Sequence, residues 1–172
     1  MVDPPPSRCW LHPRVGVGQS AIQGRGLFAG THLPTGTVVS RLGGRLVRTW
    51  ELDALLTANE RGGRYIDSIV VDDDVHLVLP AGTSNGLGNH SCDPNLWWID
   101  AYTMVTRRHV EAGEELTNDY ATSTTSDTFS MRCSCGSALC RGVITGNDWR
   151  LPELQDRYQA HWVPLLNRRI RP

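Results

Sequence analysis

The 172 residues suffice for one well-buried core and are short for two, so a single domain with minor appendages is expected. Lys plus Arg (17) nearly balances Asp plus Glu (18), a formal charge of -1 that removes any general electrostatic reason for nucleic-acid binding. No stretch nears the roughly 20 apolar residues that span a bilayer, and Met1 to Pro13 lacks a basic region followed by an apolar one, so a soluble chain without membrane segment or secretory signal is expected.

Residues 1–13 carry four prolines and read as an irregular lead-in, with Trp10 and Leu11 available to dock on a core. Gly24-Arg25-Gly26-Leu27-Phe28-Ala29 leads through Pro34-Thr35-Gly36 into a short strand, Thr37 to Leu42. Leu52, Leu55 and Leu56 give Trp50 to Asn59 a helical spacing that Gly62 and Gly63 would end. Tyr65 to Val71 and Val75 to Leu79 read as a hairpin around the acidic run Asp72-Asp73-Asp74, a solvated turn or a patch that steers a basic substrate. Trp97 to Thr106 reads as one strand and Leu116 to Tyr120 as another. Ala121 to Ser130 is a Ser/Thr/Asp connector. From Trp149 onward, Leu151, Leu154, Tyr158, Trp162, Leu165 and Leu166 recur at three or four residues, the pattern of one amphipathic helix that Pro164 can break. Its apolar face can sit on the core or at a partner interface, which leaves a homodimer open.

Cys133, Cys135 and Cys140 lie within eight residues, whereas Cys9 and Cys92 stand alone. That spacing suits a metal in a reducing compartment better than a disulfide framework. A structural zinc site needs a fourth ligand, for which Cys92, Cys9 and His12 compete.

Three strings then carry a resemblance. Asn89-His90-Ser91-Cys92-Asp93-Pro94-Asn95, Glu115-Leu116-Thr117-Asn118-Asp119-Tyr120 and Cys133 to Gly142 together resemble the SET-domain protein lysine methyltransferases with a post-SET cysteine cluster, over about residues 19–146. The prevalence of Arg over Lys suggests a small bacterial-type member. The resemblance implies a mainly β, β-clip fold of short sheets with a knotted C-terminal segment, a zinc-binding post-SET segment and a short C-terminal helix. It divides the chain into a lead-in (1–18), a catalytic domain (19–125), a zinc-binding segment (126–146) and a helical tail (147–172). It implies methyl transfer from S-adenosylmethionine to the side-chain amine of a lysine in a protein or peptide. The place would be the cytoplasm in a bacterium, or inside the cell and in the nucleus in a eukaryote.

Residue by residue, the resemblance puts Gln23, Gly24, Arg25, Gly26, Tyr65, Asn89 and His90 at the cofactor. It puts Tyr120 at the reacting amine, and Cys92 with Cys133, Cys135 and Cys140 on zinc. Read without the family, Asn89 to Asn95 is a turn, and Tyr65 and Tyr120 are core tyrosines. A tyrosine of ordinary acidity is a poor base near neutral pH, so Tyr120 would orient the amine rather than deprotonate it. Glu114, Glu115 and Asp119 read as structural. Trp97, Trp98 and Tyr102 either line a peptide groove or fill the core, and Trp149 would cover the cofactor side.

Two departures weaken the match. Gly86-Leu87-Gly88 stands where an arginine and an aromatic are usual, and Asn118 stands where a phenylalanine or tyrosine controls how many methyl groups fit. A methyltransferase for a different amine, and a non-catalytic zinc-stabilised interaction module, are the alternatives.

Overall fold

The computed structural model describes residues 3–60 and 66–171. The expectation for Tyr65 lies outside the described residues. The first half runs β1 (Trp10–Leu11), β2 (Val15–Gln19), β3 (Arg25–Ala29), β4 (Val38–Arg41), β5 (Arg45–Val47), α1 (Thr49–Glu60), β6 (Ser68–Asp72) and β7 (Val75–Val78). The second runs β8 (Leu96–Trp98), β9 (Thr103–Thr106), β10 (Glu115–Leu116), β11 (Ser130–Arg132), β12 (Val143–Thr145), α2 (Pro152–Tyr158) and α3 (Pro164–Ile170). The fold is mainly β, as expected, with helix concentrated in α1 and the C-terminal tail.

The strands form four small antiparallel sheets, ordered β1-β4-β9-β8, β10-β3-β2, β5-β7-β6 and β11-β12. The hairpin around Asp72 to Asp74 is present as β6 and β7. The single strand expected over Trp97 to Thr106 is instead the hairpin β8–β9, paired Leu96 to Thr106 and Trp98 to Met104. Asp100 makes the reversal, because its Oδ1 accepts the backbone N–H groups of Tyr102 and Thr103, both at 2.7 Å. The strand expected over Leu116 to Tyr120 ends at Leu116. Asp119 Oδ1 accepts the Ala121 N–H at 3.0 Å and turns Tyr120–Thr122 into a 3-10 turn.

The tail is two short helices rather than one. The break comes at Gln159, whose φ of 52° leaves the helical region, and Pro164 then opens α3 at its first position, where its missing N–H is harmless. Their apolar face lies on the chain's own core: Leu154, Tyr158, Trp162, Leu165 and Leu166 pack with Trp98, Val70 and Leu77, all buried. A second cluster, Leu27, Leu33, Val39, Leu96, Val110 and Leu116, fills the space between the first two sheets. Among the described residues, no helix is long and apolar enough to cross a membrane.

Candidate functional site

The segment from Gln23 to Gly26 is shaped by side chains rather than by its own backbone alone. Ser20 Oγ accepts the N–H groups of Ile22 and Gln23 and donates to Glu115 Oε2 at 2.9 Å. Asn89 Nδ2 reaches the Gln23 carbonyl (3.1 Å), the Arg25 carbonyl (3.1 Å) and Glu115 Oε1 (2.8 Å). Gly24 takes a positive φ of 51° and turns the loop. A Cβ on Gly26 would run into the Glu115 carboxylate and stand 3.1 Å from Asn89 Nδ2. The close approach that this glycine permits is therefore that of Glu115. Gly26→Ala is expected to destabilise the protein by about 1–3 kcal/mol in urea titration, the usual range for overpacking. Gly16→Ala, with nothing within 4 Å of its Cβ, should change little.

His90 is 2% exposed, and its ring is held on both sides. The Tyr120 backbone N–H donates to Nδ1 at 3.2 Å, so Nδ1 is the acceptor and Nε2 carries the hydrogen toward Cys92 Sγ at 3.4 Å. Burial lowers its pKa to about 4, which keeps the ring neutral in this tautomer. The ring therefore has no edge left for a ligand. The main chain differs: the parallel bridge to Asn118 uses the Asn89 carbonyl and the Ser91 N–H, each bonded to Asn118. In a parallel pairing the intervening residue points its N–H and C=O the other way. No bond among the described residues uses those two groups of His90. A donor and acceptor side by side next to a glycine loop fit the edge of a polar heterocycle such as the adenine of S-adenosylmethionine.

Cys92, Cys133, Cys135 and Cys140 come together with their sulfurs all within 4.8 Å of one another. Thiolates about 2.3 Å from a tetrahedral zinc stand about 3.8 Å apart, and Cys92 and Cys133 are 3.8 Å apart. Backbone N–H groups point at the sulfurs: Arg141 to Cys92 (3.3 Å), Cys135 to Cys133 (3.5 Å) and Gly142 to Cys140 (3.4 Å). Such donors offset thiolate charge. Burial pushes the Cys92 and Cys133 thiols up; it opposes ionisation of Cys135 too, but backbone donors and neighbouring thiols bring that group down to about 7. Four thiols so placed need a cation to ionise together, and the set fits one. Cys9 sits elsewhere, bonded to the Gly43 carbonyl and N–H, and His12 Nδ1 accepts from Arg14 N–H.

Tyr120 lies between these features. Its hydroxyl donates to the Gly88 carbonyl at 2.9 Å, and its ring meets His90 edge-on at 5.3 Å. Tyr120, Asn118, Gly86 and Gly88 line an open cavity of about 790 Å³. One wall is α1 with the start of β6, and the other is residues 123–129 with Trp149. Trp149 thus faces the cavity of Tyr120, not the Gln23–Gly26 loop. Trp98 and Tyr102 are core residues, bonded to Thr122 Oγ1 and the Asp3 carbonyl, and Trp97 stacks on His161.

Asp119, read from sequence only as structural, is the hub that joins the parts. Arg141, inside the cysteine loop, grips its carboxylate twice (2.7 and 2.8 Å), Tyr158 of α2 donates to it at 2.9 Å, and Asp148 takes the remaining Arg141 nitrogen at 3.0 Å. Burial and the Asp119 charge hold the Tyr158 hydroxyl well above its ordinary pKa. Glu114 serves the surface instead, paired with Arg108, whose hydrogen bond holds that carboxyl below its usual range.

The sequence pattern of the SET domain matches residues 24–121. Relatives include the histone-lysine N-methyltransferase trithorax of Drosophila virilis, 33% identical over 147 residues. The match covers 76% of this chain and 4% of that protein. The human histone-lysine N-methyltransferase SETD2 is 30% identical, over 80% of this chain and 6% of its own length. The histone H3-lysine(4) N-trimethyltransferase ATX1 of Arabidopsis thaliana is 32% identical, over 78% and 14% respectively. The chain spans a small fraction of each. With the pattern covering more than half of the chain, and its strings converging on Gly88, Asn89, His90 and Tyr120, the chain belongs to the SET domain family.

Proposed function

We propose that this protein transfers a methyl group from S-adenosylmethionine to the side-chain amine of a lysine in another protein. The observation that carries this reading is the Tyr120 hydroxyl on the Gly88 carbonyl, because Gly88 joins two places. On one side is the open cavity of about 790 Å³, and on the other the Asn89–His90 pair with its loop. When bound, the cosubstrate supplies an electrophilic methyl carbon on a sulfonium. Gln23 to Gly26 and the His90 main chain hold it; Asn89 braces that loop. Tyr120 orients the amine and excludes water from its lone pair. Zinc is the cation best matched to four thiolates at tetrahedral spacing.

The named relatives act on histone lysines by their names, which supports a basic protein tail as substrate and an intracellular, nuclear setting. These relatives are eukaryotic, so the bacterial-type, cytoplasmic setting expected from the excess of arginine finds no support among them, although all 17 Lys-plus-Arg residues are arginine. That composition also helps the test: the chain has no lysine of its own to methylate. Radiolabel from S-adenosylmethionine is followed into core histones, bacterial histone-like proteins and small amines, with zinc-loaded protein. Label on lysine is expected, falling about 100-fold in Tyr120→Phe, or about 2.7 kcal/mol in the barrier, with cosubstrate affinity unchanged. Label only in small amines would favour the different-amine reading that Asn118 and Gly86 to Gly88 suggest. Folded protein that neither binds the cosubstrate nor transfers label would be an interaction module.

A further inference from the structure

The cavity beneath Tyr120 holds a carboxylate that the methyl-transfer reading does not use. Asp67, three positions before the buried Val70 of β6, lines the same cavity as Tyr120 and Asn118. Its backbone is fixed by the Leu79 N–H, which donates to the Asp67 carbonyl at 3.0 Å. The carboxylate lies directly over Gly86, so that a Cβ there would run into it. One turn further on, Asn118 Oδ1 stands 3.4 Å from where a Cβ on Gly88 would be, and Tyr120 bonds the Gly88 carbonyl. Three oxygen-bearing side chains therefore converge on residues 86–88, and Gly86, where the family pattern is broken, is what makes room for the Asp67 carboxylate. Among the described residues, no hydrogen bond or ion pair reaches the Asp67 carboxylate. A half-buried anion without a partner is unfavourable in a protein that binds nothing there.

We propose that Asp67 recognises the substrate's ammonium group, pairing with it as the side chain enters the cavity toward Tyr120. This rests on the reading of the protein as an amine methyltransferase. Binding to the charged amine then depends on the carboxylate; the ammonium gives up a proton to solvent in the open cavity before its lone pair attacks the methyl carbon, and the positive charge that returns to nitrogen as the carbon–sulfur bond breaks lies beside an anion. Burial raises the Asp67 pKa to about 6. Asp53 on α1, His76 on β7, and Asp73, Asp127, Arg150 and Arg169 line the same cavity, but the shift comes from burial alone. A cation favours the ionised form, so its affinity should climb as pH rises through about 6.

The test uses zinc-loaded full-length protein without cosubstrate, titrated with n-butylammonium, a lysine side-chain mimic, and with neutral n-butanol, followed by NMR. Asp67→Asn should weaken n-butylammonium at least tenfold and leave n-butanol unchanged. Wild type should show the affinity rise between pH 5 and 7, and the variant should not. Gly86→Ala, which displaces the carboxylate without removing it, should behave like Asp67→Asn. Should Asp67→Asn fail to fold, the wild-type pH series decides. Equal n-butylammonium binding in the folded variant, or a flat wild-type pH series, overturns the inference. Methyl transfer to lysine measured in parallel separates the two claims. Lysine labelling with Asp67-independent binding removes this inference alone, and Asp67-dependent binding without any labelling removes the transferase reading alone.

Discussion

Asp119→Asn is expected to lower stability by about 3 kcal/mol, the low end of the range for removing one partner from a buried ion pair. The low end applies because Arg141 keeps Asp148 and the asparagine oxygen can still accept one of its two bonds, while the other now meets an NH2 group and the charge is gone. For a domain whose whole stability is roughly 5–15 kcal/mol, that loss is severe. It corresponds to a fall of about 6–12 °C in Tm at this chain length, read by thermal unfolding. Tyr158→Phe removes a hydrogen bond to the same carboxylate, worth about 1.5–3 kcal/mol. The double variant should lose less than the sum, since both act through Asp119. Activity should fall further than stability explains, because Asp119 also caps the turn that begins with Tyr120. A variant as stable as wild type would show that the carboxylate does not hold these three segments together.

Removing the cation should have a larger effect still. The cysteine loop is bracketed by the β11–β12 pair and is tied to the centre through Cys92, Arg141 and the buried network behind them. Structural thiolate sites contribute about 10–16 kcal/mol in isolated zinc-finger peptides, as much as a whole domain's stability. Chelation at neutral pH, or Cys135→Ser, is therefore expected to lower Tm by well over 10 °C and abolish methyl transfer. Cys92→Ser should reduce bound zinc, measured by native mass spectrometry, from one per chain to none. Cys9→Ser, at a thiol bonded to Gly43 away from the cysteine cluster, should retain both metal and activity. Full activity after verified metal removal would rule out a structural role for the cluster.

Much of the site was legible because it is written in contiguous strings. The cysteine trio, the Asn89 to Cys92 run and the final tyrosine each announce themselves by spacing, and the hairpin around Asp72 to Asp74 follows from alternation and a polar turn. What escaped depends on partners far apart in sequence. Glu115 braces a loop some ninety positions earlier through Ser20, and Arg141 reaches back to Asp119; neither pairing leaves a local pattern. The strand over Trp97 to Thr106 was misread because Asp100 sits in an otherwise unbroken apolar and β-branched run, and its turn-making bonds appear only once the backbone reverses. The tail's periodicity survives across Gln159 to Val163, which hides the break between α2 and α3. Asp67 escaped because no local pattern marks the approach of its carboxylate to Gly86, nineteen positions later.

The SET pattern stops at residue 121, yet Tyr158, Trp162, Leu165 and Leu166 are buried in the main core cluster behind it. The span of the SET pattern and the unit of folding are thus different lengths of chain. A chimera joined at the edge of the alignment would inherit Tyr120 and the cofactor loop but leave Trp98, Val70 and Leu77 facing water. Any exchange of catalytic parts between this protein and a relative has to carry the segment through Ile170 along with it.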